Sequence, residues 1–187
     1  MRPGVDKSLE HLVEAVRSEV ENGKAGKHRD GRAVRWRFRS ATPADLPRIR
    51  ALLSSAGLPL AGFDSQPKRF LLAFRGNALA GCALLERHAR AALLRSVAVA
   101  KRERGSGLGG AMVRELLARA RAERLRVVAL LTTTAAGYFP RFGFQRVSRA
   151  RVPAALKATA EFTGACPATA TVMRLDLERT RRKRTKA

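Results

Sequence analysis

Acid is scarce in this sequence: 15 aspartates and glutamates stand against 38 lysines and arginines, a formal net charge of +23. Such an excess attracts polyanions, nucleic acid among them. Aromatics are also scarce, with one tryptophan, one tyrosine and eight phenylalanines. They do not interleave with the basic stretches, so no platform for stacking bases is implied. The charge therefore reads first as a solvated surface. Two cysteines, Cys82 and Cys166, are too few for a disulfide framework. Each lies in an apolar or mixed segment and reads as a reduced core thiol, which makes the cytoplasm the expected compartment. The three histidines, His11, His28 and His88, are scattered without metal-ligand spacing, and no metal is expected. No apolar run reaches the ~18–20 residues of a membrane span, and no signal-peptide pattern opens the chain. No internal repeat is present. A length of 187 residues with 45% hydrophobic content suits one domain with modest extensions.

What the chain does have is a glycine-rich turn, Arg104-Gly105-Ser106-Gly107-Leu108-Gly109-Gly110. An apolar run over Ala92 to Val99 precedes it and reads as a buried strand. A helical pattern through Arg124 follows it. Strand, glycine turn, helix presents unpaired backbone N–H groups and the positive end of a helix dipole to an anion. Arg104, Lys101 and Arg102 add full charge. A Walker phosphate loop would need Gly-Lys-Ser/Thr, which is missing. Gly105, Gly107 and Gly110 satisfy the Rossmann spacing, and Glu123 falls near the required acidic position. However, Glu123 sits inside the expected helix, and Lys101-Arg102-Glu103 makes the turn long for that fold.

The remaining elements follow from periodicity. Ser8 to Glu21 shows helical spacing of Leu9, Leu12, Val13, Val16 and Val20, and residues 23–31 read as a basic linker. Val34 to Arg39 alternates as a half-buried strand. Thr42-Pro43 opens a helix to about Ala56. Phe70 to Phe74 and Leu79 to Glu86 form a hairpin about Arg75-Gly76-Asn77. Val127 to Thr132 reads as a strand parallel to Ala92–Val99, with the helix as crossover. A short helix over Ala135 to Phe142, a strand over Phe144 to Val147, a helical turn near Arg151 to Thr159 and a closing strand over Ala170 to Leu175 complete the pattern. The tail after Leu177 carries six basic residues and no acid between Arg179 and Ala187. The expected division is a helix and basic linker over 1–33, one α/β domain over 34–177 and a basic tail over 178–187.

Two stretches together resemble the GNAT superfamily of acetyl-CoA-dependent N-acetyltransferases. Arg104, Gly107 and Gly109 match its motif of Arg/Gln-x-x-Gly-x-Gly/Ala after a strand. Tyr138-Phe139-Pro140-Arg141-Phe142-Gly143-Phe144 is similar to its helix ending in Gly-Phe. The resemblance implies a mixed central sheet of about six to seven strands flanked by helices, here with an N-terminal helical extension. It implies acetyl-CoA as cosubstrate, with Val97, Ala98 and Val99 holding the pantetheine arm and thioester. Arg104, Gly105, Ser106, Gly107, Leu108, Gly109 and Gly110 would hold the pyrophosphate. Transfer is then direct, without a covalent enzyme intermediate, and Cys82 is not nominated. Many relatives place a tyrosine four residues before the Gly of Gly-Phe. Here that residue is Phe139, and Tyr138 is the candidate general acid. Many relatives also carry a glutamate early in the central strand. Leu93 stands near that place, leaving Glu86 as the candidate base, with His88 a weaker one.

Arg95 interrupts an apolar strand. A buried arginine needs an anion, either an internal carboxylate or the carboxylate of a ligand, and the sequence leaves both open. Thr132, Thr133 and Thr134 end the neighbouring strand and supply hydroxyls. Leu94-Arg95-Ser96, Leu130 to Ala135, Val152 to Leu156, Glu161-Phe162 and Cys166-Pro167-Ala168 resemble the arsenic-resistance N-acetyltransferase group. The Leu-Thr-Thr stretch is also similar to the acetyltransferase domain of N-acetylglutamate synthase. These resemblances imply a small acceptor with an amine and a carboxylate, glutamate or a glutamate-like toxin, bound by Arg95, Thr132 and Thr133. Rival expectations are a peptide or protein acceptor, a nucleic-acid-binding protein on an idle scaffold, and an acyl-CoA sensor. Non-specific polyanion contact through the tail and a homodimer stay open, and no membrane partner is expected.

Overall fold

A computed structural model describes residues 24–27 and 33–177. The helix expected over Ser8 to Glu21 and the tail over 178–187 lie outside the described residues. Eight strands form one sheet: β1 (Lys24–Lys27), β2 (Ala33–Ser40), β3 (Phe70–Arg75), β4 (Ala78–His88), β5 (Ala91–Val99), β6 (Val127–Thr132), β7 (Gln145–Arg146) and β8 (Thr171–Asp176). Three α-helices join them: α1 (Leu46–Ser55), α2 (Leu108–Ala122) and α3 (Ala154–Lys157). The spatial order is β1-β2-β3-β4-β5-β6-β8-β7. Only β5 and β6 run parallel, and α2 supplies their crossover. Seven of the strands fall within the expected α/β domain. The eighth corrects the linker expectation, because Lys24–Lys27 pairs with Ala33–Trp36 as an added edge strand. Its polar, glycine-containing sequence gives no periodic signal.

Alternation places the core on both faces of the sheet. Trp36, Leu71, Leu85, Leu94 and Leu130 lie on the face that packs beneath α2. Phe70, Leu72, Phe74, Cys82 and Leu84 lie on the face under α1. Leu93, Val127 and Ala129 meet α3 through Leu156. A strand buried on both faces shows a continuous apolar run rather than alternation, and Phe70 to Phe74 is such a run. Helix α2 buries Leu108, Met112, Val113, Leu116, Leu117 and Ala120, a stripe at three- and four-residue spacing. Gly81 permits its close approach: a Cβ there would lie 2.8 Å from Met112 Cε and 3.0 Å from the Ala98 carbonyl oxygen.

Two expectations near the C-terminal half are corrected. Ala135 to Phe142 is not a continuous helix; turns lead into a 3₁₀ segment, Phe139–Phe142. Pro140 lacks the N–H that an α-helix needs there. The strand after Gly143 is only the pair Gln145–Arg146. A wide helical turn, Glu161–Ala165, was not expected from the sequence and ends where Gly164 takes a φ of 149°.

The sheet opens at its centre. Strands β5 and β6 pair only from Ala91/Val127 to Leu93/Ala129. Beyond that point β6 continues paired with β8 to Thr132. Strand β5 stays with β4 to Val99, across a register shift between Cys82 and Leu84. Opposite the shift, Ser96 adopts a φ of 54°, a region sparsely occupied by residues other than glycine. The bulge turns β5 away from β6, and a gap opens between them.

Candidate active site

The gap between β5 and β6 runs into a cleft of about 620 Å³. Its walls are Val97, Ala98 and Val99 from β5, Arg104, Gly105, Gly107, Leu108, Gly109 and Gly110 from the turn, and Tyr138, Phe139 and Phe142 from the 3₁₀ segment. All three β5 residues expected at the thioester arm are therefore present, as are six of the seven turn residues. Ser106 is the exception. It is buried, and its hydroxyl donates to the Glu103 carbonyl at 2.5 Å. It holds the shape of the turn rather than facing the cleft.

The turn has the geometry its composition implies. Gly107 immediately precedes α2 with a φ of 87° and no side-chain cap, so the first amides of the helix are not consumed by a capping side chain. A methyl added to Gly109 would stand 3.3 Å from Tyr138 Oη and 3.5 Å from Val99 Cγ2. Backbone, strand edge and phenol therefore converge on one point. Arg104 lines the cleft and donates from Nε to the Val99 carbonyl at 3.3 Å, tying the turn to the strand end.

Three contributors were missed in the sequence. Arg114 and Arg141 line the same cleft and add positive charge beside Arg104. Arg114 lies one turn into α2 from Gly110, which is the spacing that could have flagged it. Glu103 is fully buried. It accepts from Trp36 Nε1 at 3.4 Å and from Arg75 Nη1 at 3.3 Å, and so anchors the start of the turn to β2 and β3. A single acid within a basic run was its only sequence signal.

Tyr138 lies in the cleft, one position before Phe139. Its ring packs edge-on against Phe139 at 5.4 Å, and Arg141 lies over its face at 4.5 Å. Burial raises its phenol above the usual value, with Arg141 and Arg114 opposing the shift. The hydroxyl therefore stays protonated at neutral pH. Phe139 also lines the cleft and has no proton to give.

The other proposed proton carrier is placed differently. Glu86 does not line the cleft. It is buried, with Oε2 accepting from Arg95 Nη1 at 3.0 Å and Oε1 paired with His88 Nε2 at 2.7 Å. Both oxygens of this candidate base are engaged by side chains. Arg95 is met by internal carboxylates: Glu86, and Glu161 at 2.5 Å from Nη2, with the Ala61 carbonyl also accepting. Thr132 and Thr133 line neither this cleft nor the smaller cavity beside Arg95. Thr132 Oγ1 accepts from the Ala135 amide at 3.0 Å, and Thr133 is exposed. Cys82 is fully buried and its thiol is pushed up to about 12 by desolvation, which suits core packing. Among the described residues no group of three or more His, Cys, Asp and Glu could hold a metal, and no helix is long and apolar enough to cross a membrane.

The splayed parallel pair opens onto the glycine-led head of α2. Residues 66–146 match the profile of the acetyltransferase (GNAT) domain. The fold is similar to N-acetylglutamate synthase from Neisseria gonorrhoeae complexed with coenzyme A and N-acetyl-glutamate. That likeness has a TM-score of 0.68 and 22% identity, covering 80% of this chain and 37% of that one. It is also similar to Rv2747 from Mycobacterium tuberculosis in complex with CoA and NLQ, at TM-score 0.64 and 24% identity, covering 74% and 98%. The ribosomal-protein-S18-alanine N-acetyltransferase from Escherichia coli shares the fold at TM-score 0.58 and 18% identity, covering 76% and 94%. The chain spans little more than a third of the synthase it resembles. No curated protein matches the sequence.

Proposed function

We propose that the protein transfers an acetyl group from acetyl-CoA directly to the amine of a small amino-acid-like acceptor. The observation that carries this reading is the parting of β5 from β6 at Leu93, with Val97 to Val99 left facing a cleft that ends on the glycine turn. The residues fit acetyl-CoA. Free amides at the head of α2, with Arg104, Arg114 and Arg141, suit the phosphates. The unpaired edge of β5 suits the pantetheine amides and offers N–H donors to a developing oxyanion. Tyr138 is the group suited to protonate the departing thiolate, since its hydroxyl lies in the cleft and keeps its proton. Glu86 serves by holding Arg95.

The amino-acid-like acceptor is supported by the coenzyme A complexes of similar folds that also hold N-acetyl-glutamate or NLQ. Within this reading, a glutamate-like acceptor of the arsenic-resistance kind is the finer expectation. A panel of free amino acids, glutamate analogues and short peptides, assayed for thiol release from acetyl-CoA, tests it. Turnover with free amino acids supports the reading, and turnover with peptides alone would replace it by a peptide N-acetyltransferase.

A further inference from the structure

Behind the bulge of β5 lies a second, smaller cavity of about 70 Å³, lined by Leu58, Leu93, Arg95, Ser96, Glu161 and Cys166 among others. Leu58 lines both this cavity and the large cleft, and Ser96 here is the chain neighbour of Val97 there. The cavity therefore lies next to the thioester end of the proposed acetyl-CoA site. Its volume is about two waters' share of liquid, so it has room for an amine with its adjoining carbonyl and little more.

Its wall is unusual in what it leaves unpaired. Arg95 and Glu161 have side chains only 6% exposed, and they pair at 2.5 Å. Yet Glu161 Oε2 and Arg95 Nε are both buried without a hydrogen-bond partner. A buried acceptor and a buried donor left open in one ion pair are costly unless something else occupies them. One guanidinium is shared between two carboxylates, Glu161 and Glu86, and His88 takes the other oxygen of Glu86.

We propose that Glu161 and Arg95 form the acceptor subsite, with Glu161 Oε2 binding the ammonium of the acceptor and Arg95 Nε–H binding the adjoining carboxylate or carbonyl. The inference rests on the acetyltransferase reading and deepens it by naming the base. The ammonium passes a proton to Glu161, and the freed amine nitrogen attacks the thioester carbonyl carbon. The C–N bond forms, the C–S bond breaks, and its electron pair leaves on sulfur as thiolate. The second proton lost from nitrogen matches the one the thiolate takes up, which Tyr138 supplies and regains through solvent. An α-amine beside a carbonyl-bearing carbon is the acceptor class this pair of orphans recognises. Burial raises the Glu161 carboxyl above its ordinary value, with Arg95 opposing and Glu86 reinforcing the shift, which suits a group that must accept a proton. The groups facing it are Arg95 from β5, Glu86 from β4 with His88 behind it, and Cys166 from the following loop.

The test uses the full chain, glycinamide as the smallest α-amine with a carbonyl, and acetamide as the control without an ammonium. Glycinamide binding, titrated by NMR in the presence of CoA, is expected to weaken at least about tenfold in Glu161→Gln, as for loss of a charge-assisted hydrogen bond. CoA affinity, measured by calorimetry, is expected to stay unchanged, and acetamide should bind neither protein. In the wild type, glycinamide affinity should fall on acidification at a pH above the ordinary glutamate value of about 4.3, as Glu161 takes up a proton. That series needs no variant and decides the matter if Glu161→Gln does not fold. Equal glycinamide affinity in both proteins, or wild-type binding flat between about pH 4.5 and 7, overturns the subsite. Failure of CoA to bind the wild type would instead count against the acetyltransferase reading, and the glycinamide comparison would still stand by itself.

Discussion

The two halves of the site are built from different materials. The half that faces the long cleft is mostly main chain: a strand edge released from its neighbour, and the amides at the head of α2. The half behind the bulge is side chains, one guanidinium held between two carboxylates from distant parts of the chain. A backbone site tolerates many sequences as long as glycine stands where Cβ would intrude. A side-chain site depends on each charge having its partner, because an uncompensated buried ion costs several kcal/mol. The halves should therefore fail in different ways when altered.

The largest effect is expected in the side-chain half. Arg95→Met leaves Glu86 and Glu161 buried without their cation and should cost about 3–5 kcal/mol, read as a fall in the denaturant midpoint. An unchanged midpoint would mean that the ion pair does not hold this region. The main-chain half should respond in affinity and not in stability. Gly109→Val places branched carbons where a single methyl already meets Tyr138 Oη at 3.3 Å. CoA affinity should drop about a hundredfold, ~2.8 kcal/mol, with the midpoint little altered. Loss of both together would erase the distinction.

That difference also explains what the sequence made legible. Glycine is the residue that takes the left-handed conformation without strain, so the turn at Gly105 to Gly110, its helix and the preceding strand could be read directly. Trp36 and Phe38 announced their face by alternation with Arg35, Arg37 and Arg39. The side-chain half could not be read in this way. Arg95 was conspicuous in an apolar strand, but its partners lie 9 residues before it and 66 residues after it, at Glu86 and Glu161. Nothing local distinguishes a partner carboxylate from a solvated one. Glu86 looked like a strand-end acid and proved to be buried. Tyr138 was legible as a residue but not as a direction: helical spacing would rotate it by about 100° from its neighbour, whereas the turn and the 3₁₀ segment that follows it bring both Tyr138 and Phe139 to the cleft.

Tyr138→Phe separates the halves more finely. If the hydroxyl serves the leaving sulfur, kcat with the best acceptor should fall about tenfold or more while CoA binding stays within about twofold. A fall in CoA affinity alone would make Tyr138 part of the binding wall. The smallest effect belongs to a position outside both halves. Asp45, at the entry to α1, receives a bidentate contact from Arg39 at 2.7 Å and the Thr42 amide at 2.8 Å. The Arg39 guanidinium holds its carboxyl well below the usual range, with the Thr42 contacts adding to the effect. A carboxyl lowered in the folded state stabilises it above its unfolded value of about 3.9 and loses that contribution as pH falls through the folded value. Asp45→Asn should therefore cost about 1 kcal/mol at neutral pH, with the gap to wild type shrinking only in acid. Glycinamide and CoA binding should not change.

Calorimetry of CoA on the full-length chain and on Gly109→Val tests the central claim most directly, because it asks whether the gap between β5 and β6 and the amides of the turn hold the cosubstrate. Saturable one-to-one binding to the wild type in the micromolar range, about −7 to −8 kcal/mol, is expected, with its near loss in the variant. No heat of binding up to about 1 mM CoA, or equal binding by both proteins, would contradict it.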